Sequence, residues 1–348
     1  PSRNGIEIST VLNINHHQLI KDHSMGGVLP VVPFTLSMEL MTEAALLLIG
    51  KAEVQLTISD LKGLAWLVFE EDEIKLEIKV ERINTHDNSK QVHVTVNLAE
   101  SGTCAFQGIL SAVAKNSISP TLALVGEKKA PSISVENFYK NHLFHSTCFR
   151  SIYSIQHWNK KEVKATFIMP ELISAITDNK QPHFSIPGPM LDGTGQLLAY
   201  WMYEQGESDY AIFPYSAEKF EQYSQFPSSG SLISCHASVR KDASSIAGTF
   251  EFIDQDNNCI GRLTNFRLRI FKNEWIPHLL MNRLDQSAPN SIGEDFLKEG
   301  GGIWKKLMGR LHFKNTEYQT WLKKHETIQI DELVKGWQNS RNLELLEL

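Results

Sequence analysis

The sequence predicts an α+β fold that is built twice. In each half, a Gly/Pro-rich turn leads into a long apolar stretch, which covers Phe34–Ile49 in the first half and 193–205 in the second. Segments of alternating apolar and polar residues follow each stretch. One long helix followed by an antiparallel meander is an arrangement in which the sheet can wrap the helix. Because the order recurs, we expect an internal duplication at the level of the fold, although the two halves share few identical residues.

In the first half, five strands are predicted after the helix. The alternation from Ile74 to Glu81 is the clearest, and it indicates a sheet with one wet face and one packed face. The predicted strands cover 54–59, 65–69, 74–83, 91–98 and 103–114. A polar connector at about 115–134 contains Pro120, Gly126 and Pro131, which is typical of a linker.

The second half repeats this order. A strand is predicted at 163–168, then the helix 193–205 with Gly206 as its C-cap, then strands at 232–239, 247–253 and 261–271. Residues 254–258 are predicted to form a hairpin turn. From about 274 the pattern changes to short amphipathic segments after three glycines. We therefore expect units at 1–130 and 131–273, and a helical appendage or linker at 274–348.

The bulk properties argue against several classes of partner. The 348 residues carry a net charge of −6, which gives no signal for nucleic acid or an anionic membrane. No apolar run reaches the roughly 18 residues of a membrane span. The first residues contain neither Met nor an apolar signal core, which we interpret as the start of a piece excised from a longer chain. The four scattered cysteines are expected to be free thiols in a reducing, cytoplasmic setting.

His23 is the candidate base. It lies in a predicted tight turn just ahead of Gly26 and Gly27. An imidazole titrates near neutral pH and can accept a proton there. The two glycines permit close approach of a substrate, and free N–H groups at the following helix start would polarise a carbonyl. The plain alternative is an ordinary loop histidine in a simple turn.

Asp192 is the candidate acid, and it lies near the start of the second apolar helix. The plain alternative is an N-cap, because Asp is a favoured cap residue. Gln196 follows four residues later on the same helix face, where its amide can hydrogen-bond the carboxyl group. We expect the apolar surroundings to raise the pKa of Asp192 and allow it to donate a proton at neutral pH.

These motifs resemble those of the double-hotdog dehydratase domains of polyketide synthases and polyunsaturated fatty acid synthases. That family carries His-x-x-x-Gly-x-x-x-x-Pro; His23 and Gly27 keep the spacing, and the proline arrives one residue late, at Pro33. Its second motif, Asp-x-x-x-Gln/His, matches Asp192 and Gln196 in full. Residues 213–223 resemble its Leu-Pro-Phe-Ser segment, and 143–152 align with Tyr-Gly-Pro-x-Phe without the Gly-Pro. The resemblance covers roughly 8–273.

The resemblance implies a double hotdog, in which two long helices are each wrapped by an antiparallel sheet, here with a C-terminal helical appendage. It implies removal of water from a β-hydroxyacyl thioester on the phosphopantetheine arm of an acyl carrier protein, giving an α,β-enoyl thioester. His23 would take the α-proton, Asp192 would protonate the departing hydroxyl, and Gln196 would orient that step. Gly26, Gly27 and Pro33 would bind the substrate near the oxyanion.

No cofactor or metal is expected, because the thioester already makes the α-proton acidic. The expected partners are the carrier protein and neighbouring synthase domains; a homodimer stays open. The alternatives are a double-bond isomerase, an oxa-Michael cyclase or a hotdog thioesterase, and a non-catalytic carrier-binding scaffold. A basic segment at 304–324 is either a carrier-docking patch or a solvated face. The remaining histidines singled out, His16, His17, His142, His145 and His183, are interpreted as surface or pocket-lining residues.

Overall fold

The computed structural model describes residues 5–25, 29–50, 55–69, 72–83, 90–113, 122, 126–172, 175–176, 184–207 and 210–272. The predicted appendage at 274–348, the basic segment 304–324, Gly26, Gly27, His183 and half of the connector at 115–134 lie outside these residues.

Each half of the chain places a long helix ahead of a run of strands, as the sequence predicts. The helices are α1 (Gln18–Lys21), α2 (Phe34–Ile49), α3 (Val135–His142) and α4 (Gly188–Glu204), with a short 3₁₀ turn at Thr147–Phe149. The strands of the first half are β1 (Gly5–Asn13), β2 (Ser24–Met25), β3 (Leu29–Pro30), β4 (Gln55–Gly63), β5 (Glu73–Ile83), β6 (Lys90–Leu98) and β7 (Cys104–Val113). Those of the second half are β8 (Ile152–Trp158), β9 (Glu162–Ile168), β10 (Tyr210–Gln222), β11 (Leu232–Lys241), β12 (Ser245–Ile253) and β13 (Cys259–Lys272).

Eleven of the described strands form one continuous antiparallel sheet. Its order is β1-β5-β6-β7-β4-β10-β13-β12-β11-β9-β8, so each half of the chain supplies one half of the sheet. The halves join where β4 pairs with β10, with Ile58 opposite Phe220. The short strands β2 and β3 pair with each other. At this junction the two half-sheets become one, and each half contributes one of the two long helices, α2 and α4.

The two long helices are buried on nearly every side. Twelve of the 16 residues of α2 and 14 of the 17 residues of α4 are buried. A helix that is apolar all round is a core helix, which is why neither shows a clear polar stripe. At Gly188 an added Cβ would lie 3.0 Å from the carbonyl oxygen of Thr35, so the N-terminal ends of α2 and α4 lie against each other. The residues that precede or begin these helices are thereby brought to one place.

Several elements differ from the sequence prediction. Residues 65–69 were expected as a strand but make only an isolated bridge between Val68 and Val31, and Leu67 accepts a hydrogen bond from Val32 N at 2.9 Å. Strands β1, β8 and β10 were not predicted. The turn at 254–258 is confirmed, since Asn258 N donates to Asp254 Oδ1 at 2.8 Å. The predicted boundaries between units, including 130/131, stay a prediction.

Two bulk expectations can be compared with the described residues. Among the described helices, none combines the length and the apolar character that crossing a membrane requires. The four cysteines are thiols in the structure, with Cys104 partly buried and Cys148, Cys235 and Cys259 buried.

Candidate active site

A cavity of about 790 Å³ opens where the N-terminal ends of α2 and α4 meet. Its walls come from both halves of the fold and are mainly aromatic and aliphatic, with Phe34 and Phe106 from the first half and Phe266 from the second. His23 and Asp192 both line it. An apolar cavity with a few convergent polar groups is the usual form of a small-molecule site.

The turn after α1 positions His23. Helix α1 is anchored by two buried residues, Leu19 and Ile20, and His23 N donates to Ile20 O at 3.2 Å. The Nδ1 atom of His23 lies 3.2 Å from the carbonyl oxygen of Val31. A carbonyl accepts only, so Nδ1 carries the proton in the neutral ring and Nε2 is the free base. That Nε2 lies 3.8 Å from Asp192 Oδ1.

Asp22 fastens this turn to the second half of the fold. Its carbonyl oxygen accepts a hydrogen bond from Ser146 N at 2.9 Å, and its Oδ2 accepts one from Cys148 N at 2.9 Å. The segment 143–152, which the resemblance aligned with Tyr-Gly-Pro-x-Phe, is therefore held beside His23. This explains why His145 joins the site.

Asp192 lies inside its helix. The structure starts α4 at Gly188, with Pro187 in the N-cap position, so Asp192 is a helical residue and the alternative of an N-cap is wrong. The sequence prediction missed these five residues because Gly188 and Pro189 were taken as part of the preceding turn, whereas proline is tolerated in the first turn of a helix. At the next residue, Gly193, an added Cβ would lie 3.1 Å from both Phe167 and Ser151, so close packing holds this turn in place.

Gln196 fixes one oxygen of the Asp192 carboxylate. Its Nε2 donates to Asp192 Oδ2 and to Phe149 O, both at 2.8 Å. Its Oε1 accepts from the hydroxyl of Tyr139 at 2.6 Å, and that hydroxyl in turn accepts from Ile152 N at 3.0 Å. Every polar atom of this buried amide is used, which leaves it one orientation. Tyr139 was not singled out from the sequence.

His145 is the second histidine at Asp192. Its Nε2 lies 3.1 Å from Asp192 Oδ2, and its ring stacks on Phe144 with centroids 4.1 Å apart. The sequence placed it only among surface or pocket-lining residues. It does line the cavity, but its contact with Asp192 was missed. With Phe149 as the last residue of Tyr-Gly-Pro-x-Phe, His145 falls at the first position of that pattern, which is the signal that could have found it.

Burial and neighbouring groups set the charges of His23 and Asp192 before substrate binds. Burial lowers the pKa of His23 from 6.5 to about 4, and this outweighs the attraction of Asp192. Burial alone would raise the pKa of Asp192, but the hydrogen bond and charge of His145, the charge of His23 and the hydrogen bond from Gln196 together hold it below its usual range. The expectation of a raised pKa for Asp192 is therefore wrong, because its partners outweigh the apolar surroundings. At neutral pH the pair is a neutral imidazole and a carboxylate.

A metal ion is the other occupant to consider for this cluster. The atoms that His23, His145 and Asp192 would offer lie within 4.8 Å of one another. However, Asp192 Oδ2 already receives contacts from both His145 and Gln196, and Nδ1 of His23 is taken by Val31 O. These contacts are those of a hydrogen-bonded proton-transfer site, and we assign no ion to it.

The remaining predicted residues lie at the helix start. Pro33 lines the cavity as the N-cap residue of α2, and its carbonyl oxygen accepts from Leu36 N at 3.1 Å and Ser37 N at 3.0 Å. Proline has no N–H, so it can shape the cavity wall but not donate to an oxyanion. Gly26 and Gly27, the predicted neighbours of the oxyanion, lie outside the described residues, and their role stays a prediction.

Comparisons with known proteins agree with this fold. Residues 122–274 match the family described as the polyketide synthase dehydratase N-terminal domain, a range that includes Asp192 and Gln196 but not His23. Among curated proteins, no sequence matches the chain. Solved structures give the fold, and those reported below are dehydratase domains.

An inactive His→Phe mutant of the CurJ dehydratase, solved in complex with compound 21, is 18% identical with a TM-score of 0.62 and covers 81% of this chain and 96% of that chain. An inactive Asp→Asn mutant of the CurK dehydratase is 15% identical with a TM-score of 0.60, covering 77% and 94%. A monomeric dehydratase domain from a trans-AT polyketide synthase split module is 16% identical with a TM-score of 0.58, covering 77% and 99%. The double-hotdog prediction is thereby confirmed.

Proposed function

We propose that this chain removes water from a β-hydroxyacyl thioester, because residues 122–274 match the polyketide synthase dehydratase model and the described fold is similar to that of such domains. The product is the α,β-enoyl thioester, expected as the trans isomer. The observation that carries the proposal is the approach of His23 Nε2 to Asp192 Oδ1, 3.8 Å apart in a cavity with apolar walls. The inactive His→Phe and Asp→Asn relatives support a mechanism that depends on one histidine and one aspartate.

His23 takes the α-proton in this mechanism. Its Nδ1–H is held by Val31 O, so Nε2 presents a lone pair to the cavity. With its pKa lowered to about 4, His23 is unprotonated at neutral pH and ready to act as a base. Backbone N–H groups at the start of α2 are the proposed donors that stabilise the negative charge growing on the thioester oxygen. Gly26 and Gly27 would give the thioester room to approach them.

Asp192 acts on the departing hydroxyl. The bond between the β-carbon and oxygen breaks, its electron pair leaves with the oxygen, and a proton delivered by Asp192 completes the water molecule. Gln196 holds Oδ2 in place, which leaves Oδ1 directed toward the His23 side. Because the base and acid lie side by side, the geometry favours loss of the α-hydrogen and the β-hydroxyl from the same face of the acyl chain.

The proposed substrate is carried on the phosphopantetheine arm of an acyl carrier protein. Neighbouring synthase domains and the carrier are the expected partners, and the proposed setting is the cytoplasm, as predicted from the scattered cysteines. One relative is described as monomeric, so a single chain is a reasonable form in which to assay activity. No cofactor is proposed, since deprotonation, elimination and reprotonation can all be performed by side chains.

The test is a turnover assay of the purified chain with a β-hydroxyacyl pantetheine thioester, following the enoyl product by absorbance and mass. We expect His23→Ala and Asp192→Asn each to abolish enoyl formation while the fold is retained. The matched controls are His16→Ala and Asp256→Asn, which replace exposed residues and should leave the rate unchanged. Near-normal turnover in either site variant would overturn the proposal.

The products distinguish the alternatives. A free acid indicates a thioesterase, a shifted double bond an isomerase, and a cyclic ether, from a substrate with a remote hydroxyl, an oxa-Michael cyclase. Carrier binding without any product indicates a scaffold.

A further inference from the structure

His145 contacts the carboxylate of Asp192 on the oxygen that does not face His23. The distance from His145 Nε2 to Asp192 Oδ2 is 3.1 Å, while His23 Nε2 lies 3.8 Å from Oδ1. Both His145 and Asp192 are buried, and both line the cavity. The three side chains therefore form a row, with the carboxylate between two imidazoles.

The proposed reaction demands a proton that the resting carboxylate does not hold. Asp192 is ionised at neutral pH because its contacts hold its pKa below the usual range. Of its other neighbours, the Gln196 amide does not titrate. The Tyr139 hydroxyl reaches Asp192 only through Gln196, and burial raises its pKa far above neutral. An imidazole exchanges protons near neutral pH, and His145 is the one in hydrogen-bond contact.

We propose that His145 supplies the proton that Asp192 delivers to the leaving hydroxyl. This inference rests on the proposed dehydratase function and adds a residue to that site. The proton passes from His145 Nε2 to Oδ2 of Asp192, the β C–O bond breaks, and the same Oδ2 gives the proton to the departing oxygen, which leaves as water. His23 then holds the α-proton and returns it to the Asp192–His145 pair, so one proton enters and one leaves in each turnover.

The surroundings of His145 direct its Nε2 at Asp192. Phe144 stacks on the ring, and Phe149 and His23 lie at centroid distances of 6.5 and 5.2 Å. Arg150 donates to the backbone oxygen of His145 at 3.2 Å, so its charge faces that carbonyl. Nδ1 of His145 is buried and has no hydrogen-bond partner among the described residues. The contact of Nε2 with Asp192 Oδ2 is therefore the route by which a proton can pass from this ring to the carboxylate.

Replacing the leaving group separates this role from a structural one. A β-hydroxyl needs a proton to leave, whereas chloride does not. For the wild-type chain, we expect a solvent deuterium isotope effect on kcat for the β-hydroxyacyl thioester, because a proton must reach the hydroxyl as it leaves. On the β-chloroacyl thioester, corrected for uncatalysed elimination, that effect should be absent because only His23 is needed. This comparison uses no variant and so does not depend on one folding.

The variant His145→Gln places an amide near the position of Nε2 but removes the titrating group. We expect it to lower kcat on the β-hydroxyacyl thioester by about 100-fold with little change in KM, since general acid catalysis contributes about 10²–10⁴. On the β-chloroacyl thioester, kcat of the variant should stay within about threefold of wild type, a much smaller change than the loss of general acid catalysis causes. His16→Gln, at an exposed histidine, is the matched control and should match wild type on both substrates.

Each other result overturns the inference. If His145→Gln keeps its rate on the β-hydroxyacyl thioester, Asp192 obtains its proton elsewhere, although the chain is still a dehydratase. If the variant loses activity equally on both substrates, or if the wild-type chain shows the same solvent isotope effect with chloride, His145 only supports the site. If the wild-type chain forms no enoyl product from either substrate, the proposed function fails, and the inference that rests on it fails too.

Discussion

Gln196→Leu tests the network that holds Asp192. The Gln196 amide makes three hydrogen bonds, and losing each of them destabilises the fold by a different amount. Phe149 O keeps a second donor, Ser151 N at 2.9 Å, and Asp192 Oδ2 keeps His145 at 3.1 Å. The Tyr139 hydroxyl loses its acceptor and is buried, so its hydrogen is left unsatisfied. The buried Tyr139 hydroxyl then costs its full desolvation penalty of about 1–3 kcal/mol, and Phe149 O and Asp192 Oδ2 each lose one donor. We therefore expect the free energy of unfolding to fall by about 2–4 kcal/mol.

The assay is denaturant unfolding of four chains: wild type, Gln196→Leu, Tyr139→Phe and the double variant. Tyr139→Phe leaves Ile152 N and Gln196 Oε1 without their partner, so it should also destabilise the fold. Because both single changes break the same bond, the double variant should lose about 1–2 kcal/mol less than the two losses added together, within the usual range of coupling energies.

Enoyl formation provides the second readout on the same chains. Gln196→Leu should lower kcat by about tenfold while KM changes little, since a loosened acid is misplaced at the moment of reaction. Additive losses in unfolding free energy, or an unchanged kcat, would refute the reasoning that Gln196 orients Asp192 through this network.

Three further predictions concern pH and metal. Because the pKa of His23 is lowered to about 4, kcat/KM should fall on the acid side near pH 4. The unfolded chain protonates His23 more readily, so lowering the pH from 6.5 to about 4 should reduce the free energy of unfolding by about 3 kcal/mol. His23→Phe should remove that loss, and an unchanged pH dependence of stability in this variant would contradict the prediction. Burial raises the pKa of Glu39 to about 8 although Ile186 N donates a hydrogen bond to it, so the free energy of unfolding should fall as the pH rises from 4.5 to 8. In thermal melts across this pH range, Glu39→Gln should flatten that fall. If the variant loses stability with pH as steeply as wild type, Glu39 is not the cause. Dialysis against EDTA should leave the dehydration rate unchanged, whereas a loss restored by Zn²⁺ would make His23, His145 and Asp192 a metal site.

The sequence was sufficient to predict the duplicated α+β fold, because two long apolar helices, each preceded by a Gly/Pro-rich turn, are strong local signals. It also offered His23 and Asp192 as base and acid near the two helix starts, and their pairing in one site followed from the resemblance to the dehydratase family. The spacing from Asp192 to Gln196 also predicted their hydrogen bond, because residues four apart share a helix face. Strands such as β5 were predicted nearly to their ends because one face is wet and the other packed.

The remaining features depend on contacts between distant parts of the chain. His145 reaches Asp192 because Asp22 ties the segment 143–152 to the first half, and no local pattern encodes that tie. The sign of the Asp192 pKa shift was wrong for the same reason, since it is set by His145 across the site. Residues 65–69 alternate like a strand, but most of that segment has no neighbouring strand to pair with in the described structure.

Product analysis of a single turnover tests the central claim most directly. An excess of the wild-type chain is mixed with a β-hydroxyacyl thioester that carries deuterium at the α-carbon. The mass of the product is then measured by mass spectrometry. The account predicts an enoyl thioester that has lost water together with one α-deuterium, taken by His23. An intact thioester that keeps its hydroxyl and its α-deuterium, or a free acid, would contradict it.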